Sequence, residues 1–385
     1  MIPYGRQSIS PDDLAAVTEI LKSDWLTQGP VIGQFETELT RYCGARAAVA
    51  ASNATAALHL ACLALDLGPG DTLWTCANTF VASANCARYC GAEVDFVDID
   101  ARTYNMSYDA LTAKLQHAEA AGRLPKIVMP VHFAGQSCQM REIKRLSERY
   151  GFRIIEDASH AIGADYLAEP VGSCRYSDIC IFSFHPVKII TTGEGGAALT
   201  NDATLAQRMR SLRSHGVTRD PDSWNGAGDG DWYYEQQQLG FNYRMTDIQA
   251  ALGCSQMKRL RAFVGRRRQI AAQYDAALDH ALLVRPWQHA DTASCYHLYP
   301  VRITAQDERR NRRTVFEGMR RAGIGVNVHY IPVCAQPYYR ALGFGPGYCP
   351  AAEAYYAEAI SLPIFPDLTA TDQRYVITEL LKLLA

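Results

Sequence analysis

With 385 residues and a formal net charge of -2, the chain is too long for one small core and too weakly charged to hold nucleic acid or an anionic membrane by its overall field. Its 48% hydrophobic and 20% charged composition is that of an ordinary globular protein, so one large plus one smaller domain is expected. No apolar run approaches the ~18–20 residues of a membrane span. The N-terminal Met1-Ile2-Pro3-Tyr4-Gly5-Arg6 has no apolar core of the kind a signal peptide carries, so the expected location is the cytoplasm. The 12 cysteines agree with a reducing compartment: Cys62, Cys76, Cys90 and Cys180 lie inside apolar segments, as small hydrophobes do. No Cys-x-x-Cys pair occurs, so neither a metal centre nor a redox dithiol is expected.

In chain order, short β-branched runs alternate with helical patterns from about residue 47 to 200. The predicted strands are Ala47–Ala51, Thr72–Cys76, Glu93–Asp98, Lys126–Val131, Arg153–Ile155, Ile179–Phe182 and Ala197–Leu199. Amphipathic segments Thr55–Leu67, Phe80–Cys90 and Met140–Tyr150 lie between several of them. Such alternation predicts an α/β fold, a mostly parallel sheet covered by helices on both faces. Residues 218–236 are rich in turn formers and aromatics and predict a long loop, a candidate lid. Helical periodicity then runs from Thr246 to about Leu282, and its basic stretch Arg259–Arg268 reads as a solvated helix face. Residues 295–385 predict a small α+β domain: strand Tyr296–Ile303, helix Arg309–Ala322, strand Val326–Tyr330, and helices near Ala351–Ile360 and Ala370–Leu384. The predicted division is a large domain over 1–250, N-terminal segment included, and a helical connection with the small domain over 251–385.

The chemistry concentrates at 182–196. An apolar run, Ile179-Cys-Ile-Phe182, breaks off at Ser183 and His185, and Lys188 and a glycine cluster follow. A lysine just beyond a buried strand can sit in a cleft, lose its proton there and condense with an aldehyde. Pyridoxal phosphate is therefore the leading cofactor hypothesis, against a plain surface lysine. Asp157 ends the strand Arg153–Ile155 and its extension, 31 positions before Lys188. It either caps the next helix or pairs with a ring nitrogen, keeping the ring an electron sink. Ser52-Asn53-Ala54-Thr55 stands where a strand gives way to a helix, so it is a plain cap or a phosphate cradle. Phe80 is either core or a stacking platform for a flat ring.

Several stretches together resemble the nucleotide-sugar aminotransferases of the DegT/DnrJ/EryC1/StrS family. They are Asp157-Ala-Ser-His160, Phe182-Ser-Phe-His-Pro-Val-Lys188, Gly193-Glu-Gly-Gly196 and Trp25-Leu-Thr-Gln-Gly-Pro30. Ser211-Leu-Arg-Ser-His-Gly216, Gly240-Phe-Asn-Tyr-Arg-Met-Thr-Asp-Ile-Gln-Ala250 and Val328-His-Tyr330 complete the set, in consistent order from Tyr4 to Pro366. The resemblance implies the type I fold of pyridoxal phosphate-dependent transferases (aspartate aminotransferase-like) and a homodimer with active sites at the subunit interface. It implies that Lys188 condenses with the cofactor and moves the proton, that Asp157 holds the pyridine nitrogen, and that His160 lies near the ring's 3-oxygen. Ala54, Thr55 and Ser183 would cradle the phosphate, Asn242 would reach it from the partner subunit, and Phe80 would stack on the ring. Tyr4, the stretch Asp24-Trp25-Leu26-Thr27, and His329-Tyr330 would line the sugar side.

Pro3-Tyr4-Gly5-Arg6-Gln7, the run 157–163 and His185-Pro-Val-Lys188 resemble the branch of the family that serves pseudaminic acid biosynthesis. That branch moves an amino group from L-glutamate to C4 of a UDP-linked 4-keto-6-deoxy-N-acetylhexosamine. A sibling activity on a dTDP- or GDP-linked sugar, at C3 or C4, is the nearest rival. The pyridoxal-dependent sugar dehydratases of the same fold carry histidine where this chain has Lys188. A non-catalytic regulatory protein would show a degraded site or an added DNA-binding module, and the sequence has neither.

Overall fold

The computed structural model describes residues 1–305 and 307–385. In chain order the central sheet uses β1 (Ala47–Ala51), β2 (Thr72–Cys76), β3 (Glu93–Val97), β4 (Ile127–Met129) and β5 (Arg153–Asp157). A small hairpin, β6 (Asp165–Tyr166) with β7 (Glu169–Pro170), separates these from β8 (Ile179–Ser183) and β9 (Gly196–Thr200). The seven strands of the sheet are ordered β1-β9-β8-β5-β4-β2-β3. Every neighbouring pair is parallel except those made by β9, which runs antiparallel to both β8 and β1. As a result β1, β5 and β8 end, and β9 begins, on one rim. Helices bury both faces of the interior strands, which is why Ile179–Phe182 and Ala197–Leu199 are unbroken apolar runs with no alternation. Ligands of such sheets collect at this carboxyl rim.

Helices α1 (Pro11–Leu21), α2 (Val31–Cys43), α3 (Ala54–Ala64) and α4 (Ala82–Tyr89) belong to the first half. They are followed by α5 (Tyr108–Ala120), α6 (Met140–Tyr150), α7 (Ala203–Arg213) and the 31-residue α8 (Asp247–Ala277). α3 is buried on nearly every side, as its Ala/Leu-rich sequence permits. The expected division at 250/251 falls inside α8. The basic stretch of α8 departs from the expectation of a solvated face. Arg267 is fully buried and donates to the carbonyls of Tyr296, His297 and Ile364, while Arg259 pairs with buried Asp13 of α1 and Arg268 with the Ser294 carbonyl. Loop carbonyls with no ladder partner need donors, and guanidinium groups supply several at once.

The expected loop at 218–236 closes on itself. β10 (Val217–Thr218) pairs antiparallel with β11 (Glu235–Gln236), and Trp224 packs edge-on against Tyr233. Beyond α8, β12 (Leu283–Val284), β14 (Tyr299–Ile303) and β15 (Ala359–Leu362) form a small antiparallel sheet, and β13 (Thr292–Ala293) returns to pair with β6. Helices Arg312–Arg321 and Ala370–Leu384 cover the small sheet around a core of Tyr299, Val301, Val315, Met319, Ile360 and Val376. The helix expected to reach Ile360 stops at Glu358, because Ala359 and Ile360 pair with β14. Val326–Tyr330, expected as a strand, makes only one bridge, Asn327 to Ser361. The Asn327 side chain takes the Val328 N–H at 2.8 Å, a local bond that displaces a ladder bond. The N-terminus docks on the small sheet's side of the molecule: Gly325 donates to Ile2 and Ile364 to Tyr4. Among the described residues, no helix is long and apolar enough to cross a membrane.

Candidate active site

The rim holds a cavity of about 890 Å³. At one end lies the start of α3. Asn53 caps it, its side-chain oxygen taking the Ala56 N–H at 2.8 Å, and the N–H groups of Ala54 and Thr55 begin a helix turn without intrahelical acceptors. Such a terminus favours an anion. Gly196 opens β9 opposite Ser183, and a Cβ there would stand 2.5 Å from the Ala54 nitrogen and 2.6 Å from its Cα. Only glycine lets the helix start settle against the strand, which brings Ser183 and Thr55 to the same end of the cavity.

Deeper in, Asp157 closes β5 and is buried. It accepts the Ser83 hydroxyl at 2.6 Å and the Ser159 N–H at 3.1 Å, and Thr79 in turn bonds Ser83 at 2.7 Å. Lys188 follows β8 on a turn closed by its own N–H to the His185 carbonyl. Removal from water pulls its amine from 10.5 to about 8, and the charge of Asp157 partly opposes the fall. His160 is buried with its Nε2 3.1 Å from the Tyr330 hydroxyl and its Nδ1 without a partner. Burial first, then the charge of Lys188, keeps His160 well below the ordinary histidine range. His329 falls to about 3 for the same two reasons, and burial raises the Tyr330 phenol above its usual value. Tyr4 leans on His329 with ring centres 5.4 Å apart.

Of the residues singled out from sequence, Tyr4, Ala54, Thr55, Phe80, Asp157, His160, Ser183, Lys188, His329 and Tyr330 line this one cavity. Phe80 does so from an exposed position, 59% accessible. Asn242 and the stretch 24–27 do not line it; they are exposed, and Thr27 and Asn242 sit in isolated bridges to Thr246 and Ser214. Sequence reasoning missed Ser83, Asn327 and His297. Ser83 lies 74 positions from the carboxylate it touches, and nothing local marks it. His297 is buried with its ring 4.3 Å from that of His160, its Nδ1 also unpartnered. A histidine opening the apolar run Tyr296–Ile303 was its one visible signal.

The donor set suits pyridoxal phosphate: free N–H groups and hydroxyls for a phosphate, a buried carboxylate for a ring nitrogen, a partnerless imidazole nitrogen, and a desolvated amine. Among the described residues, no group of three or more His, Cys, Asp or Glu side chains is arranged to hold a metal ion. A mostly parallel sheet with a desolvated lysine facing a strand-end carboxylate defines a transferase of the type I pyridoxal phosphate-dependent fold. Residues 7–381 match the DegT/DnrJ/EryC1/StrS aminotransferase family, and the chain belongs to it. It is 37% identical over 375 residues to the spore coat polysaccharide biosynthesis protein SpsC of Bacillus subtilis, covering 96% of this chain and 94% of SpsC. Helicobacter pylori PseC, an aminotransferase involved in the biosynthesis of pseudoaminic acid, matches with a TM-score of 0.90 at 29% identity, over 100% of this chain and 99% of PseC. The PLP-form of Spr1654 from Streptococcus pneumoniae matches with a TM-score of 0.88 at 29% identity, over 100% of both chains. The chain is a sugar aminotransferase.

Proposed function

We propose that this enzyme moves an amino group from L-glutamate to C4 of a UDP-linked 4-keto-6-deoxy-N-acetylhexosamine, giving UDP-4-amino-4,6-dideoxy-N-acetyl-β-L-altrosamine. The observation that carries the chemistry is Lys188, an amine lowered to about 8 that shares a cavity with Asp157 and the α3 terminus. Pyridoxal phosphate, when bound, supplies the carbonyl that receives the amino group and the electron sink that stabilises charge at the donor's Cα. Ala54, Thr55 and Ser183 would hold its phosphate, Asp157 its ring nitrogen and His160 its 3-oxygen side, with Phe80 available to stack on the ring. Asp157 is oriented for this by Ser83 and the Ser159 N–H. Lys188 Nζ, uncharged in a useful fraction near neutral pH, takes the proton from the donor's Cα and in the second half returns one to the sugar carbon. Such general acid–base help is worth roughly 10²–10⁴-fold.

Tyr4, His329 and Tyr330 make a polar but uncharged wall suited to a sugar. Asn242 and Asp24, Trp25, Leu26 and Thr27, exposed and away from their own chain's cavity, serve the site of a second copy in a homodimer. The exposure of Trp25 and Leu26 (56% and 47%) supports that reading. The likeness to PseC supports the altrosamine product, whereas the higher identity to SpsC, a spore coat polysaccharide biosynthesis protein, favours a second reading, a sibling keto sugar. The test is to offer purified protein glutamate and a panel of UDP-, dTDP- and GDP-linked 3-keto and 4-keto sugars. Amination of the UDP-linked 4-keto sugar is expected. Turnover of dTDP- or GDP-sugars alone would move the assignment to the sibling activity.

A further inference from the structure

Along one wall of the cavity, next to Tyr4, the side chains of Asn327, His329 and Ser361 are joined by hydrogen bonds whose direction can be worked out. Asn327 Oδ1 accepts the Val328 N–H at 2.8 Å, so the oxygen is committed and the amide nitrogen faces the other way. That nitrogen lies 3.3 Å from His329 Nε2. Two donors cannot face each other, so His329 Nε2 carries a lone pair. A neutral imidazole has one N–H, which must then be on Nδ1, and it donates to Ser361 Oγ at 2.8 Å. Burial and the neighbouring Lys188 keep the ring neutral. Ser361 also donates its backbone N–H to the Asn327 carbonyl at 2.8 Å, which fixes Asn327 against β15. Both ring nitrogens of His329 are therefore occupied, and this histidine has no donor left for a ligand. One amide hydrogen of Asn327 therefore goes to His329 Nε2. Tyr4 lines the cavity beside this ring.

We propose that Asn327 is a positioning residue that sets the hydrogen-bond polarity of this wall, locking His329 as the Nδ1–H tautomer so that the ring offers a bound ligand no N–H. That the ligand on this wall is a keto sugar rests on the function proposed above; the polarity does not. The other groups facing His329 are Lys188, His160, His297, Tyr4 and Tyr330, while its ring nitrogens are hydrogen-bonded to Asn327 and Ser361.

The test is nitrogen-15 NMR of the histidine rings in the holoenzyme, the His329 signals being those lost in His329→Gln. The unsubstituted enzyme is expected to show His329 protonated on Nδ1 alone. Asn327→Asp keeps the shape but can only accept, so the ring should shift its proton to Nε2 or take a second one. Its kcat/KM for the keto sugar should fall roughly tenfold, the loss of about one hydrogen bond, with the sugar's KM rising more than the amino donor's. An Nε2–H tautomer in the unsubstituted enzyme overturns the proposal without any variant. So do unchanged ring signals and an unchanged sugar KM in Asn327→Asp. If no keto sugar were turned over, the proposed function would fall, and the tautomer would still decide the polarity.

Discussion

Lys188 shows what a few side chains can settle. Its flanking strand and glycines mark it in the sequence, but its proton affinity depends on a cavity that only the fold builds. Lys188→Ala is expected to lower turnover by at least 10²–10⁴-fold, roughly the value of its acid–base role alone, with an unchanged circular dichroism spectrum. Normal activity in that variant would exclude the mechanism. The buried histidines give a pH prediction. His160, His297 and His329 all bind protons less readily in the folded chain than the ordinary 6.5, His329 only at about 3. As pH falls below 6.5 the unfolded chain takes up protons that the native one refuses, so stability is lost with falling pH. Urea midpoints measured from pH 7.5 down to about 5 should decline, and His329→Gln should flatten that decline.

At the level of elements, the meeting of β9 with α3 is the joint on which the phosphate end depends. Gly196→Ala would push a methyl to 2.5 Å from the Ala54 nitrogen, so a loss of about 1–3 kcal/mol is expected, together with weaker retention of pyridoxal phosphate. Gly193 provides the control, since its φ is +79° but a Cβ there meets nothing within 4 Å. Gly193→Ala should cost only about 1–2 kcal/mol of backbone strain. Equal cofactor loss in the two variants would show that the close approach at Gly196 is not what shapes the cradle. The seven strands of the sheet were legible because their runs are apolar, short and separated by helical patterns. Val326–Tyr330 misled for the opposite reason: its β-branched residues read as a strand, yet Asn327 spends its side chain on the next N–H. Arg259–Arg268 misled too, because periodicity cannot tell a charge facing water from one facing orphaned carbonyls.

At the scale of the molecule, the question is how residues exposed on one chain reach a site. If Asn242 serves the partner's cavity, mixing inactive Lys188→Ala and Asn242→Asp chains after reversible dissociation should restore activity. Half the dimers would be hybrids with one intact site of two, so recovery of roughly a quarter of the native rate is expected from two-fold symmetry. No recovery at any mixing ratio, with dimers formed, would place Asn242 in its own chain's chemistry. A net charge of -2 offers little long-range pull on a nucleotide sugar, so rates should vary little with salt.

The sequence by itself determined the alternating α/β plan, the lysine beyond its strand, the carboxylate ending another, and the helix start that suits a phosphate. Those are local patterns, each written within a few residues and governed by backbone geometry and burial. Only the tertiary structure decided which residues face one another across long separations: Ser83 against Asp157, His297 against His160, and Tyr4 beside Asn327 and His329. Such pairs depend on strand order and on the docking of the N-terminus against the small sheet. Hydrogen-bond direction and proton affinity follow from that company, not from the residues alone.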